Sequence, residues 1–215
     1  MSIVALMLSW PGKQQYVARY SFEVNAVRAV DPQSEALRVG VAYPKERKGK
    51  AAAVEIRDGE LVLEWIVSDY ETHVILRNNT GAVVSLGPGD VTFAMEREPP
   101  QPCFVTDDER GGSLSPPGPL STGKSVALDI FPRDRARIYG KETYGKDQIT
   151  SKGTLFDPPG YAVGDTPAEI IAIATVNIGK SFEFVLPLRV GDETREYRFR
   201  FRVTRVDARG FRDTF

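Results

Sequence analysis

The chain has 215 residues, and 28 lysines and arginines face 29 aspartates and glutamates, which leaves a formal net charge of -1. With 41% apolar residues and 19 glycines, the chain can build an interior, which excludes disorder throughout, while the even charge balance argues against a strongly basic nucleic-acid binder and an acidic solvating protein. One cysteine and one histidine exclude an intrachain disulfide framework and a His/Cys metal cluster.

The first segment is an apolar run from Ile3 to Leu8, followed by a Pro-Gly turn. The run is far too short to span a bilayer. Two interpretations stay open: it is the first buried strand of the fold, or it is the tail of a signal segment that starts upstream. A bacterial lipoprotein would carry its lipidated cysteine near Ser9 and Trp10, where this chain has none. We therefore expect no membrane anchor in the chain as given.

Apolar and polar residues then alternate, which predicts β-strands with one buried face. The pattern runs from Tyr16 to Ala26 and returns from Leu37 to Tyr43. A basic loop at residues 44–50 follows, and we interpret it as a solvated hairpin tip. Valine is the commonest apolar residue, and its branched side chain favours strands over helices.

An Asp-Gly pair at residues 58–59 lies between two alternating runs and predicts a hairpin with a two-residue loop. That register would set Ile56 opposite Leu61 and Val54 opposite Leu63 on the buried face.

Further strands are predicted by the same alternation at 72–78, 82–86, 91–96, 125–131, 169–178, 181–190 and 194–206. The best short helix candidate, residues 134–142, is polar almost all round. Two stretches near 97–124 and 132–167 break the alternation, and we interpret them as long Pro/Gly-rich loops. The predicted fold is all-β, a single antiparallel β-sandwich domain over residues 1–215 with little helix.

The second long loop carries four aromatic residues, which are our candidate partner-binding residues: Tyr139, Tyr144, Phe156 and Tyr161. One interpretation is that they fold back and cover an open end of the sheet. The other is that they bind a partner, because exposed aromatic side chains usually mark an interface.

Residues 118–125 match the phosphate-binding pattern G-x-x-x-x-G-K-[ST]. That chemistry needs a buried strand before the glycine loop and, after it, a helix whose N-terminus holds the phosphates. Two prolines precede this loop, and Val126 to Pro132 alternate as a strand does. A nucleotide-binding enzyme is therefore an alternative and not our leading hypothesis.

Aromatic residues and arginines interleave between residues 195 and 203. Strict alternation puts the aromatics on one face of a strand and Arg198, Arg200 and Arg202 on the other. A nucleic-acid stacking platform needs both on one face. We therefore expect a core face, a solvated face and no nucleic-acid partner, and we keep nucleic-acid binding through this strand as a second alternative.

The same strand forms half of a predicted hairpin, because Gly191-Asp192 suits a two-residue loop. In that register Phe184 lies opposite Phe199 on the buried face. A four-residue loop would keep the same faces but set Phe184 opposite Phe201. Pro187 cannot donate a hydrogen bond to a neighbouring strand, so it indicates an edge position or a bulge.

The single histidine and the single cysteine complete the chemical candidates. His73 lies within a predicted strand with no nucleophile elbow in the chain, so we expect a structural role. Cys103 could be a reactive thiol, although nothing nearby in the sequence lowers its pKa.

Residues 78–80 fit the N-glycosylation pattern, which in a bacterial protein marks a turn. We predict no catalytic, cofactor-binding or metal-binding residue and no cofactor.

Several segments resemble immunoglobulin-like β-sandwich proteins of bacterial envelopes: the strand and N-x-T turn at 76–80, the Phe-Pro strand end at 130–132, and the closing strands at 184–188 and 197–201. These proteins are uncharacterised and often lipid-anchored. The resemblance covers roughly residues 60–206. It implies a non-enzymatic binding or structural module, an unknown protein or envelope component as partner, and the cell envelope rather than the cytoplasm. It supplies no catalytic residues.

Overall fold

The computed structural model describes residues 16–30, 37–38, 41–45, 52–67, 72–87, 89–107, 117–139, 148–152, 155 and 166–210. The strands of these residues are β1 (Tyr16–Val30), β2 (Leu37–Arg38), β3 (Val41–Lys45), β4 (Ala52–Asp58), β5 (Leu61–Val67), β6 (Thr72–Asn78), β7 (Val84–Leu86), β8 (Thr92–Met95), β9 (Gln101–Asp107), β10 (Lys124–Pro132), β11 (Ala136–Tyr139), β12 (Gln148–Lys152), β13 (Ser181–Val190) and β14 (Glu193–Gly210). The helices are α1 (Pro167–Ala174) and two 3-10 helices, Arg133–Arg135 and Thr175–Asn177.

Most of these strands form one antiparallel sheet. Its order is β2-β1-β14-β13-β8-β9-β10-β6-β5-β4-β3, with β7 pairing with β13, while β11 and β12 pair only with each other. The end strands β2 and β3 are separated in the chain only by residues 39 and 40, and β1 lies near β4. The sheet therefore bends round until its two ends approach each other, and the predicted antiparallel all-β class is confirmed.

Strand β9 connects the two halves of this sheet. Its first residues, Gln101 and Pro102, pair with β8, and the residues from Cys103 onward pair with β10. We call β2, β1, β14, β13, β7 and β8 half A, and β10, β6, β5, β4 and β3 half B. A strand that changes partners in this way turns a corner between two packed sheets. The sequence pattern does not indicate this strand, which lies within the stretch interpreted as a loop at 97–124.

The core lies between the two halves. Trp65 of half B is fully buried, and its ring centroid lies 4.0 Å from that of Phe199, 5.6 Å from that of Phe184 and 6.4 Å from that of Phe201, all in half A. Tilted aromatic contacts at these distances stabilise a core beyond the area they bury.

The predicted β13–β14 register is confirmed. Phe184 lies opposite Phe199, and Gly191 has a φ of +59° at the first position of the two-residue loop. Pro187 lies inside the sheet, at the point between the stretch of β13 that pairs with β8 and the stretch that pairs with β7. The Pro187 carbonyl accepts a hydrogen bond from the Gly87 N–H at 2.9 Å, so the missing N–H of the proline falls where the pairing with β7 ends.

The predicted β4–β5 register is wrong by two residues, although its faces are right. Ile56 lies opposite Leu63, and the loop is Gly59-Glu60. Gly59 has a φ of +60°, which suits the first central position of a turn. Asp58 is the last residue of β4, where its carboxylate is engaged by side chains of β14.

The predicted strand at 169–178 is also wrong, because this segment begins as the helix α1. The Thr166 hydroxyl accepts a hydrogen bond from the Glu169 N–H at 3.3 Å, and the Glu169 carboxylate accepts one from the Thr166 N–H at 3.2 Å. These two hydrogen bonds form a complete capping box, and Pro167 occupies the first helical position, directly after Thr166. Residues 134–142, our best helix candidate, contain the end of a 3-10 helix and β11.

The helix covers one end of the core. It lies against β1 and β14 and buries Ile170 and Ala174, one helical turn apart. Asn177, in the 3-10 turn that follows, is fully buried and donates its amide to the Tyr20 hydroxyl at 2.8 Å. One side of this segment is therefore fixed to the sheet.

Candidate functional site

The phosphate-loop match at 118–125 belongs to the sheet. The Gly123 N–H donates to the Asn78 carbonyl at 2.6 Å, and Lys124 begins β10. A strand follows the loop, as predicted, at the place where phosphate binding requires the N-terminus of a helix.

His73 lies on the outer face of half B. Its Nδ1 is in contact with Oδ1 of the buried Asp129, directly opposite on β10. Along this row of the sheet the order is Ile66, His73, Asp129 and Thr106. The Thr106 hydroxyl therefore lies beyond the Asp129 carboxylate and away from the His73 imidazole. In a nucleophile-His-Asp triad the imidazole lies between the hydroxyl and the carboxylate, so the order here is different.

Cys103 is buried on the core side, 3% exposed. Burial raises the pKa of the Cys103 thiol well above its ordinary value, and the positive charge of Arg133 offsets only part of that rise. The thiolate is the reactive form of cysteine, so this position favours an inert thiol.

Asn78 of the N-glycosylation pattern is a structural residue. It is fully buried, and its amide donates to the carbonyls of Ala82 at 2.8 Å and Leu120 at 2.9 Å. Its side-chain oxygen accepts from the Thr80 N–H at 2.9 Å, which makes an Asx turn. The pattern marks a turn here, as the sequence predicts.

The arginine face of β14 is exposed, as predicted, and the aromatic face is buried. Arg198 lies 2.6 Å from Glu196 and 3.7 Å from Glu183, and Arg200 lies 3.8 Å from Glu96. These carboxylates offset the charge of Arg198 and Arg200, which reduces the positive charge that a phosphate backbone would meet on this face.

The predicted partner-binding residues lie largely outside the described part of the chain. Tyr139 is the last residue of β11, and only its backbone is described. Tyr144, Phe156 and Tyr161 lie outside the described residues, as does the run from Ile3 to Leu8. The partner-binding role of these aromatics stays a prediction.

Neither a metal-ligand cluster nor a membrane-spanning helix occurs among the described residues. Within the described ranges, no three His, Cys, Asp or Glu side chains are grouped so that they could hold a metal ion. No helix in those ranges is long and apolar enough to cross a membrane.

Exposed aliphatic side chains concentrate on one short segment. Among the described residues, four of the five large apolar side chains open to solvent lie on α1 and the turn after it, between 40% and 66% exposed: Ile171, Ile173, Val176 and Ile178. We call these four the apolar patch. The fifth, Val83, lies at the other end of β13, where its carbonyl accepts a hydrogen bond from Gly191.

A groove of about 390 Å³ lies at the turn that follows β8. It is lined by the turn at residues 95–98 and by Gln101, Asp134 and Lys180. Lys180, in the wall of this groove, follows Ile178 of the apolar patch by two residues in the chain. The Gln101 amide, oriented to donate, reaches both carboxylate oxygens of Asp134 at 3.0 and 2.7 Å, which fixes one wall.

The turn in the groove wall is strained. The Glu98 N–H donates to the Met95 carbonyl at 3.0 Å, and Arg97 has a φ of +71°. Among the described residues, Arg97 is the one non-glycine residue with positive φ. A type II turn favours glycine at this position, so arginine costs about 1 kcal/mol there.

Comparisons of the chain with protein-family models, curated proteins and solved structures find no match.

The sequence pattern missed both the patch and the groove. The capping box at 166–169 is a local signal that could have located the helix and hence its outward side chains. The groove has no such signal, because segments far apart in the chain build it.

Proposed function

We propose that the protein is a non-enzymatic binding module that holds a protein partner at the apolar patch. The observation that carries this proposal is the concentration of four exposed aliphatic side chains on one short segment. Exposed apolar side chains that concentrate in one segment, with polar residues around them, are typical of an interaction site. An apolar centre with a charged rim is also the usual arrangement of a protein interface.

The non-enzymatic part of the proposal is supported by three positions that could have served chemistry. Cys103 is a buried thiol, His73 is paired with Asp129 on the neighbouring strand, and Lys124 begins a strand. Each of these side chains has a place in the fold that differs from its place in a catalytic or phosphate-binding site.

We extend the proposal to the cell envelope and to the immunoglobulin-like sandwich class. The support is the sequence resemblance over residues 60–206 together with the antiparallel all-β fold. The partner is then another envelope protein.

Site-specific photo-crosslinking in the cells that encode the protein tests the proposal. A benzophenone side chain is placed at Val176 in the apolar patch and, as the matched control, at Val83, which is 52% exposed at the other end of β13. We expect light-dependent protein adducts from position 176 and none from position 83. Adducts are identified by mass spectrometry and must disappear in the Ile173→Lys background. Equal yields from both positions, or none from position 176, would overturn the proposal.

A further inference from the structure

We infer that the groove at the turn after β8 binds a small ligand, of the size of a dipeptide, that carries both a carboxylate and an ammonium group. This inference goes beyond the proposed function, because it concerns a small molecule and side chains outside the apolar patch. Its support comes from the strained backbone of Arg97 and from the arrangement of the charges that line the groove.

Arg97 keeps a strained backbone conformation, although no contact among the described residues explains it. Its φ of +71° is one that glycine adopts readily, and its side chain has neither an ion pair nor a hydrogen bond among those residues. Glycine would relax this turn, so the arginine lowers the stability of the fold without a visible gain. Departures of this kind concentrate at binding sites. We therefore assign the Arg97 guanidinium to a ligand.

Lys180 brings a second cation to the same groove. The Glu96 N–H donates to the Ser181 carbonyl at 2.9 Å, which sets the turn that holds Arg97 beside the start of β13. Lys180 donates to the neutral Asn177 side chain at 2.6 Å and has no carboxylate partner within the described ranges. Two cations on neighbouring segments repel each other, and an anionic group placed between them is attracted by both. Since a guanidinium offers the paired donors that match a carboxylate, these two cations define the carboxylate end of the site.

The carboxylates of the groove disfavour a simple anion as the ligand. Glu96, Glu98 and Asp134 line the groove together with the two cations, so a phosphate or acetate ion would also meet like charges there. Glu96 lies 3.8 Å from Arg200, and the Gln101 amide reaches Asp134. Glu98 has no ion pair in the part of the chain that the structure describes, so its carboxylate is the one available to an ammonium group.

A molecule that carries both charges matches both sets of side chains. Its carboxylate lies at Arg97 and Lys180 and its ammonium group at Glu98, so each end of the molecule meets the opposite charge. Pockets for small ligands commonly hold about 300 to 1,000 Å³. The groove, at about 390 Å³, is at the lower end of that range, which suits a dipeptide. Because ion pairs exposed to water are individually weak, we expect a dissociation constant in the millimolar range.

Nuclear magnetic resonance on the isotope-labelled full chain tests the inference, with alanyl-alanine as the probe. We expect saturable shifts of the backbone amide signals of Glu98, Gln101 and Lys180. N-acetylation removes the ammonium group of the probe and C-terminal amidation removes its carboxylate, so each blocked form should bind about three- to fivefold more weakly. Equal affinities for the three probes, or no saturable shift at the groove with alanyl-alanine, would overturn the inference.

Arg97→Gly separates a role in binding from a role in folding. It should weaken alanyl-alanine binding about fivefold and yet raise the urea concentration at the unfolding midpoint, because glycine accepts the positive φ. The matched control is Arg77→Ala. Arg77 is an exposed arginine of β6 that also lacks an ion pair among the described residues, and its removal should leave binding unchanged. An unchanged affinity or a lowered unfolding midpoint in Arg97→Gly overturns the inference.

Discussion

Two threonine hydroxyls of this fold differ in how well they are hydrogen-bonded. Thr72 is fully buried on the core side of β6, and its hydroxyl has no hydrogen-bond partner among the described residues. The Thr80 hydroxyl, in the turn after β6, donates to the Asn78 side-chain oxygen at 2.7 Å and also receives the Ala82 N–H at 3.2 Å. A buried polar group without a partner loses its hydration and gains nothing in return.

Thr72→Val should therefore stabilise the protein, raising the free energy of unfolding by about 1 kcal/mol, because valine has the same shape without the hydroxyl. The matched control, Thr80→Val, should lower it by about 1–2 kcal/mol, because two hydrogen bonds of the turn are lost. Urea unfolding midpoints of the two variants check the prediction. A loss of stability in both would mean that the Thr72 hydroxyl is satisfied.

The only cysteine of the chain makes thiol chemistry a clean probe of the core. Because Cys103 is buried and its pKa is raised, the folded protein should resist an aromatic disulfide reagent at pH 8, where an exposed thiol reacts within minutes. The same reagent should titrate one thiol at once in concentrated guanidinium chloride. Rapid labelling of the native protein would show that β9 opens readily or that the thiol faces solvent.

At the scale of a strand, the two faces of β14 should differ greatly in their effect on stability. Phe199 is fully buried, and its ring centroid lies 4.0 Å from that of Trp65, so Phe199→Ala should cost roughly 3–5 kcal/mol. Arg200 is exposed and lies 3.8 Å from the nearest Glu96 oxygen, so Arg200→Ala should cost well under about 1 kcal/mol. The denaturant concentrations at the unfolding midpoints of the two variants check the prediction. If Phe199→Ala were neutral and Arg200→Ala unfolded the protein, the arginine face would be the buried face of β14 and the aromatic face the exposed one.

The hairpins show what a local pattern can predict. In the β4–β5 and β13–β14 hairpins the alternation correctly predicts which face of each strand is buried, because the period of two admits only two choices. The register depends on which residues form the loop. Gly191-Asp192 allows one two-residue loop, but around residues 58–60 both Asp58-Gly59 and Gly59-Glu60 suit such a turn. The contacts of Asp58 with β14 decide between them, and no local pattern contains those contacts.

The helix α1 shows how a pattern can mislead. Ile171 and Ile173 alternate with smaller residues as in a strand, yet both are exposed. The residues that the segment buries are Ile170, Ala174 and Asn177, which follow helical spacing. Because Asn177 is polar, the buried residues do not form a purely apolar helical pattern in the sequence. The apolar patch could therefore not be predicted from alternation alone.

At the scale of the whole molecule, strand order is the part that the sequence leaves undetermined. Neighbours in the chain, such as β4, β5 and β6, pair as a meander that the turn residues predict. The pairing of β1 with β14 joins segments from opposite ends of the chain, and β9 joins the two halves through a change of partners. These contacts depend on burial in three dimensions and leave no periodic signal.

A polar link also joins the two halves. The Tyr197 hydroxyl of β14 donates to Asp58 Oδ2 of β4 at 2.7 Å, and Arg195 approaches the same oxygen at 3.3 Å. Tyr197 is fully buried, so this hydrogen bond to a carboxylate lies at the edge of the core between half A and half B. Burial, and then the hydrogen bond to Asp58, raise the pKa of Tyr197 above its ordinary 10.0.

The raised pKa makes this link sensitive to alkaline pH. The folded protein keeps the Tyr197 phenol proton at a pH where the unfolded chain releases it, so the stabilisation is complete below about pH 10 and is lost as the pH rises further. Tyr197→Phe should lower the free energy of unfolding by about 1–3 kcal/mol at pH 7, because a hydrogen bond to a charged group is lost. Above about pH 10 the wild type should lose stability more steeply, and the two curves should converge.

Urea unfolding of both proteins between neutral pH and pH 11 measures this effect. Cys103→Val is the control for the other raised pKa: the ordinary pKa of the thiol is 9.0, so its removal should flatten the wild-type curve from about pH 9 and leave the steeper loss above about pH 10 in place. If Tyr197→Phe and the wild type fall with equal slopes above pH 10, the phenol ionises alike in the folded and unfolded chains. The link between Asp58 and Tyr197 would then contribute nothing to holding the two halves together.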